Sequence, residues 1–204
     1  VIIKSVYKSS LSNSKSKVQS FIKEINTLAF LRDLKHVTQI YDVIYSLDTF
    51  YIVLEYAESG DLFNYVASKN KKLSDIEVKH FFKNIVKTIS MIHLYGIAHR
   101  DLKLENILLD KTGRIMVADF GCVTKFDRSK LISHPSDQNN LCSTICGTLH
   151  YEPPEIVRGE KYDPMKADAW SVGVMLYVLV FNKFPFHSPS PTETIQMILS
   201  SDVS

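Results

Sequence analysis

The chain has 204 residues, 45% of them apolar, with 24 basic and 22 acidic side chains interspersed to a formal net charge of +2. That is enough to bury a sizeable core, in one domain or one domain split into two lobes. It excludes the strong single-sign field that would draw a chain to nucleic acid or an anionic membrane surface. Cys122, Cys142 and Cys146 form an odd count without a regular framework, which suits reduced thiols in an intracellular, cytoplasmic protein better than the staples of a secreted one.

In chain order, the β-branched run Val1 to Val6 predicts a strand, and the Ser/Asn/Lys-rich stretch 8–17 predicts a loop after it. With Val1 in place of an initiating methionine, the chain is expected to be an excerpt. From Val18 to Leu34, apolar residues at Phe21, Ile25, Leu28 and Leu31 recur every three or four positions and predict an amphipathic helix that also carries Glu24. Residues 38–46 and 49–56, rich in Val, Ile, Tyr and Phe, predict an antiparallel hairpin turning at Leu47-Asp48. After Gly60 the pattern becomes helical. Ser74 and Glu77 make a capping box for a helix with the stripe Val78, Phe82, Ile85, Ile89 and Ile92, ended by Gly96.

Short apolar runs at 107–109 and 114–117 around Asp110-Lys111-Thr112-Gly113 predict a second hairpin. The polar, aperiodic stretch from Thr124 to Ser143 predicts a long mobile loop or a regulated segment. Helices are expected over Met165 to Val180 and Thr192 to Ser200. No apolar run approaches the roughly 18–20 residues of a membrane span; the longest, Val172 to Phe181, is broken by Gly173 and reads as a buried helix.

Two polar clusters flank the second hairpin. His99-Arg100-Asp101-Leu102-Lys103-Leu104-Glu105-Asn106 packs a carboxylate, an ammonium and a carboxamide into one loop, and Asp119-Phe120-Gly121 follows the second strand. A hairpin brings its two ends together, and phosphoryl transfer needs such a set: metal ligands, a cation near the transferred group, and a carboxylate to orient the attacking hydroxyl.

These residues, with Val1-Ile2-Ile3-Lys4, Glu24, Pro153-Pro154-Glu155 and Asp168-Ala169-Trp170-Ser171-Val172-Gly173, resemble the eukaryotic serine/threonine protein kinases from Val1 to about residue 200. Singly, Lys4 and Glu24 read as ordinary surface charges; six motifs in order do not. The resemblance implies an α+β, bilobal kinase-like fold. Residues 1–56 would be an N-lobe remnant with the start of the hinge, and 57–204 a C-lobe lacking its last helices.

It further implies that Asp101 orients and accepts the proton of a substrate hydroxyl and that Lys103 neutralises the transferring phosphoryl group. Asn106 and Asp119 would hold Mg2+, and Lys4 would hold ATP phosphates while paired with Glu24. The hinge would run from Glu55 to Ala57, with backbone groups meeting adenine and Leu54 at the back of the pocket; Asp61 would contact ribose. Lys103 two residues after Asp101, and Thr148 in Cys146-Gly147-Thr148, resemble the serine/threonine branch. Asp61 and Glu105 resemble the acidic pair that meets upstream basic residues in protein substrates. Arg100 is expected to dock a phosphate on Thr144, with Ser143 as second phosphosite. His99, Asp168 and Trp170 are expected to be structural.

A narrower similarity, through Gly96-Ile97-Ala98, Phe120-Gly121-Cys122, Tyr162-Asp163-Pro164 and Phe184-Pro185-Phe186, is to fungal kinases regulating transporters and to calcium/calmodulin-dependent and AMP-activated relatives. Three features depart from the family pattern, one being the expected loss of the last helices with the arginine that would pair with Glu155. Gly-x-Gly-x-x-Gly does not occur in the chain, and Ile2 stands where the family usually has alanine over adenine. A pseudokinase-like binding or scaffolding module is therefore the alternative to an enzyme using ATP and Mg2+.

Overall fold

The computed structural model describes residues 1–12, 14–69, 72–126, 141–144 and 146–200. The stretch expected to be a long mobile loop lies mostly outside them. Three strands, β1 (Ile2–Tyr7), β2 (Ile40–Tyr45) and β3 (Thr49–Leu54), form an antiparallel sheet in the order β1-β3-β2. Lys4 is opposite Ile52 in the register, and the β2–β3 pairing shifts between Ile40 and Asp42.

Against the expected loop at 8–17, the chain forms a short helix, α1 (Lys8–Ser12), and then α2 (Lys15–Phe30). Tertiary contacts override the weak helix preference of serine here. Lys8 donates its backbone N–H to Asp48 O at 2.8 Å and its ammonium to Ser46 O at 2.7 Å, and Ser14 caps α2 by accepting from Lys17 N. The stripe on α2 buries Leu28, with Leu31 just past the helix end, and it draws Glu24 inward with them.

The remainder is mainly helical: α3 (Leu62–Ser68), α4 (Asp75–Leu94), α5 (Pro154–Val157), α6 (Pro164–Phe181) and α7 (Pro191–Ser200). Both halves of the Ser74–Glu77 capping box are made on α4, and Gly96 (φ 72°) takes the left-handed turn just past its end. Among these helices lie β4 (Ile97–Ala98) paired with β7 (Thr124–Lys125), and the predicted hairpin β5 (Ile107–Leu109) with β6 (Ile115–Val117). All three residues of β6 are buried, as is Phe120 beyond it. One apolar core runs from Leu28, Leu31 and Val37 through β5, β6 and Phe120 to Val174, Met175 and Val178, so the sheet and the helical part share it.

Helix α6 corrects the expectation that no segment is long enough to cross a membrane. Gly173 does not break it, and its 18 residues, with mean hydropathy 1.2, pass by length and composition alone. Half of that segment is buried inside the fold, and it carries Asp168, buried and bonded to the loop before β5. It is a core helix, started by Asp163, whose carboxylate accepts from Met165 N, and ended by Asn182 at φ 52°.

Candidate active site

The clusters predicted around the second hairpin do converge. Beside β1, α2 and the hairpin lies a cleft of about 330 Å³ lined by Ile2, Lys4, Glu24, Leu54, Glu55, Leu108, Ala118 and Asp119, among others. Strand β1 presents Lys4 and the third turn of α2 presents Glu24. Lys4 Nζ reaches both carboxylate oxygens, at 2.7 and 2.8 Å. The Glu24 side chain is only 8% exposed against 43% for Lys4, so the ammonium neutralises a nearly buried charge while keeping one side open to the cleft. Helix α2 is docked inward by more than this pair, since Ser20 Oγ donates to Gly121 O at 2.5 Å.

The loop before β5 owes its shape to Asp168. This carboxylate, 1% exposed, accepts from His99 N at 2.8 Å, Arg100 N at 2.7 Å and His93 Nε2 at 2.8 Å. Arg100 sits at φ 66°, a left-handed conformation costly for an arginine and held here by that bond. His99 bridges the two polar clusters: Nε2 donates to Ala118 O at 3.0 Å, and its ring lies 4.9 Å from that of Phe120. Asp119 is also left-handed, at φ 61°, which turns its carboxylate toward the cleft.

Within the loop, Lys103 Nζ donates to Asp101 Oδ2 at 2.9 Å and to Thr148 Oγ1 at 3.0 Å, while the Thr148 hydroxyl donates to Asp101 Oδ1 at 3.2 Å. Asn106 Nδ2 donates to Asp101 O at 2.8 Å. That bond commits the amide nitrogen to the loop and leaves the carboxamide oxygen as the atom for a cation. Among the described residues no side chain or N–H donates to the Asp119 carboxylate. Hard oxygen donors of this kind fit Mg2+ rather than a softer metal.

Other predicted residues are placed less simply. Glu55 N donates to Gln39 O at 2.8 Å, so of its backbone groups the carbonyl is the one left for a ligand. The Glu55 carboxylate is held by Arg114, which also bonds Asp110. Ala57 follows in the same segment, its carbonyl accepting from Gly60 N. Asp61 is the N-cap of α3: Oδ1 accepts from Asn64 N at 2.8 Å and Oδ2 from Asn64 Nδ2 at 2.7 Å. Its carboxylate is therefore engaged in capping, and Asp61 is not among the residues lining the cleft. Glu105 accepts from the Tyr151 hydroxyl at 3.2 Å. Burial, and then the Glu105 charge, push that phenol well above the usual tyrosine range.

Arg100 reaches the later segment. Its Nη1 donates to Thr144 Oγ1 at 2.7 Å and to the Tyr162 hydroxyl at 3.1 Å, and its Nε donates to Cys122 O at 2.7 Å. Ser143 is exposed next to it. Sequence reasoning missed His93, Arg114 and Ser20 as members of this arrangement. Only Arg114 left a trace, four residues after Asp110 across the hairpin turn.

Residues 1–203 match the family model described as the protein kinase domain. The chain is similar to NUAK family SNF1-like kinase 1 of Homo sapiens, 36% identical over 202 residues that cover 99% of this chain and 29% of that protein. It is also similar to CBL-interacting protein kinase 11 of Oryza sativa subsp. japonica, at 38% over 177 residues, 86% of this chain and 34% of that one. NUAK family SNF1-like kinase 2 of Rattus norvegicus is 36% identical over 200 residues, 98% of this chain and 30% of that protein. The chain thus spans about a third of the length of these relatives. With an α+β fold, ordered motifs along its whole length and this match, the chain belongs to the protein kinase domain family.

Proposed function

We propose that the protein transfers the γ-phosphoryl group of ATP to serine or threonine hydroxyls of protein substrates. The observation that carries this reading is the cluster of Asp101, Lys103 and Thr148 within 3.2 Å of one another, beside Asn106 and Asp119. Residues 1–56 then serve as the nucleotide-facing lobe with the start of the hinge, and 57–204 as the lobe that holds the substrate.

In this reading Asp101 orients the attacking hydroxyl and takes its proton, and Lys103 supplies positive charge where the phosphoryl group moves. Thr148, bonded to both, sets the wall against which a small aliphatic hydroxyl is presented. Asn106 and Asp119 would hold Mg2+, which supplies charge neutralisation on the phosphates. Lys4 binds the α- and β-phosphates from its open side, kept in place by Glu24, and the Glu55 carbonyl with the backbone of Ala57 meets adenine. The Asp61 carboxylate reaches ribose only by giving up a bond to Asn64. Glu105 provides negative charge for a basic residue of the substrate. A phosphate on Thr144, or secondarily on Ser143, would dock on Arg100. The three free thiols suit an intracellular, cytoplasmic setting. The intact Lys4–Glu24 pair and the full polar set argue for turnover over a scaffold that has lost it.

The test is magnesium-dependent transfer of labelled γ-phosphate to a serine/threonine peptide with upstream basic residues, comparing the full-length protein with Asp119→Ala. Transfer lost in the variant supports the reading. Absence of transfer by the folded wild-type protein, phosphorylated at Thr144, would overturn it.

A further inference from the structure

Cys122 and Cys146 lie against each other, although 24 residues separate them in the chain. The Cys146 Sγ donates to the Cys122 carbonyl oxygen at 3.7 Å. The contact links the turn after Asp119-Phe120-Gly121 to the segment leading to Thr148. The Arg100 guanidinium lies beside both, bonded to Cys122 O and Thr144 Oγ1. Both thiols are partly exposed, so a small oxidant can reach them. Cys142, by contrast, is tied into a bridge with Tyr162, its backbone exchanging bonds of 2.8 and 3.0 Å, and it packs against Ile156, Tyr162 and Ala167.

We propose that Cys122 and Cys146 are a peroxide-oxidisable dithiol whose disulfide withdraws Thr148 from Lys103 and Asp101 and lowers phosphoryl transfer. Its effect on transfer rests on the phosphotransferase reading. The neighbouring Cys122 side chain and the Arg100 charge hold the Cys146 thiol below the usual range, whereas the Cys146 side chain and burial push Cys122 up. Cys146 is therefore the attacking sulfur.

Its thiolate attacks one oxygen of hydrogen peroxide; the O–O bond breaks, the sulfur becomes a sulfenic acid, and the departing hydroxide takes up the proton released by the Cys146 thiol to leave as the first water. The Cys122 sulfur then attacks the sulfenic sulfur. The S–S bond forms, the S–O bond breaks, and the hydroxide departs with the Cys122 proton as the second water. Two thiols are oxidised and one peroxide is reduced to two waters.

Closing the bond brings the sulfurs to about 2.05 Å and draws the Cys146 backbone toward Cys122. Gly147, at φ 139°, passes that movement on to Thr148 without a side chain to resist it. A displacement of about 1 Å at a reacting site can cost roughly 100-fold in rate, so transfer is expected to fall at least about tenfold.

The full-length protein, reduced and then titrated with hydrogen peroxide, is alkylated, digested without reductant and analysed by mass spectrometry, with transfer assayed in parallel. The expected result is a single linked peptide pair, Cys122 to Cys146, lighter by two hydrogens, with transfer lost in proportion and restored by dithiothreitol. Cys142→Ser should leave the link intact, and Cys122→Ser should leave Cys146 trapped as a sulfenic acid. A link through Cys142, no link at all in the wild type, or a complete link with unchanged transfer would each overturn the proposal. If the reduced protein transfers nothing, the phosphotransferase reading fails, while the mass of the linked peptides still decides the dithiol.

Discussion

Asp168 and His93 meet at 2.8 Å across 75 residues of chain, and the same carboxylate carries the backbone N–H groups of His99 and Arg100. Those bonds hold Arg100 in its left-handed conformation, so Asp168 sets where Asp101 begins. In Asp168→Asn, an NH2 group faces one of three donors and a buried bond is lost, at about 1–3 kcal/mol. Thermal unfolding should therefore shift down by several degrees, and transfer should fall even at temperatures where the variant is fully folded. Circular dichroism with a parallel assay checks both.

Asp101→Asn keeps the shape of the side chain and its place beside Lys103 but removes the proton acceptor. Transfer should drop by about 10²–10⁴-fold. The binding of a fluorescent ATP analogue should be nearly unchanged, because Lys4, Asn106 and Asp119 are untouched.

Lys4→Met removes the cation from the cleft and leaves Glu24, nearly buried, without its partner. A charge-assisted contact of about 1.5–3 kcal/mol corresponds to roughly 10–100-fold in nucleotide affinity. Glu24→Gln should lower affinity less, since the ammonium remains but is no longer held. Titration calorimetry with ATP and Mg2+ separates the two variants.

Thr144→Ala deletes the acceptor that Arg100 Nη1 reaches at 2.7 Å. If that contact marks a phosphate site, treatment with a phosphatase should lower transfer by the wild type to the level of the alanine variant. Ser143→Ala should leave most of the phosphatase effect in place.

Glu77 gives α4 a pH-dependent cap. Hydrogen bonds from the Ser74 backbone and hydroxyl, and then from Lys69, lower its pKa from 4.5 to about 2. The folded pKa is the depressed one, so the stabilisation is fully present above about 4.5 and is lost as pH falls toward about 2. The gap in melting temperature between wild type and Glu77→Gln should be constant above pH 5 and should narrow as the solution is acidified below 4.5. A gap independent of pH across that window would rule out this contribution.

Much of this molecule was legible without coordinates, for reasons of locality. The α4 capping box, the β2–β3 and β5–β6 hairpins and the period of α2 each depend on residues a few positions apart, and each formed as expected. The order of His99–Asn106, the hairpin and Asp119 likewise implied that the polar clusters meet, because a two-stranded turn leaves no other arrangement. The departures came where distant segments act on each other. Ser46 and Asp48 pulled the stretch after β1 into a helix, and Arg114 took the carboxylate of Glu55. The contact of the Cys146 thiol with the Cys122 carbonyl and the grip of Asp168 on the loop before β5 belong to the same class. Local pattern selects an element because its hydrogen bonds close within a few residues. Which buried charge, thiol or amide finds a partner is decided only when the core from Leu28 to Val178 closes and desolvates them together.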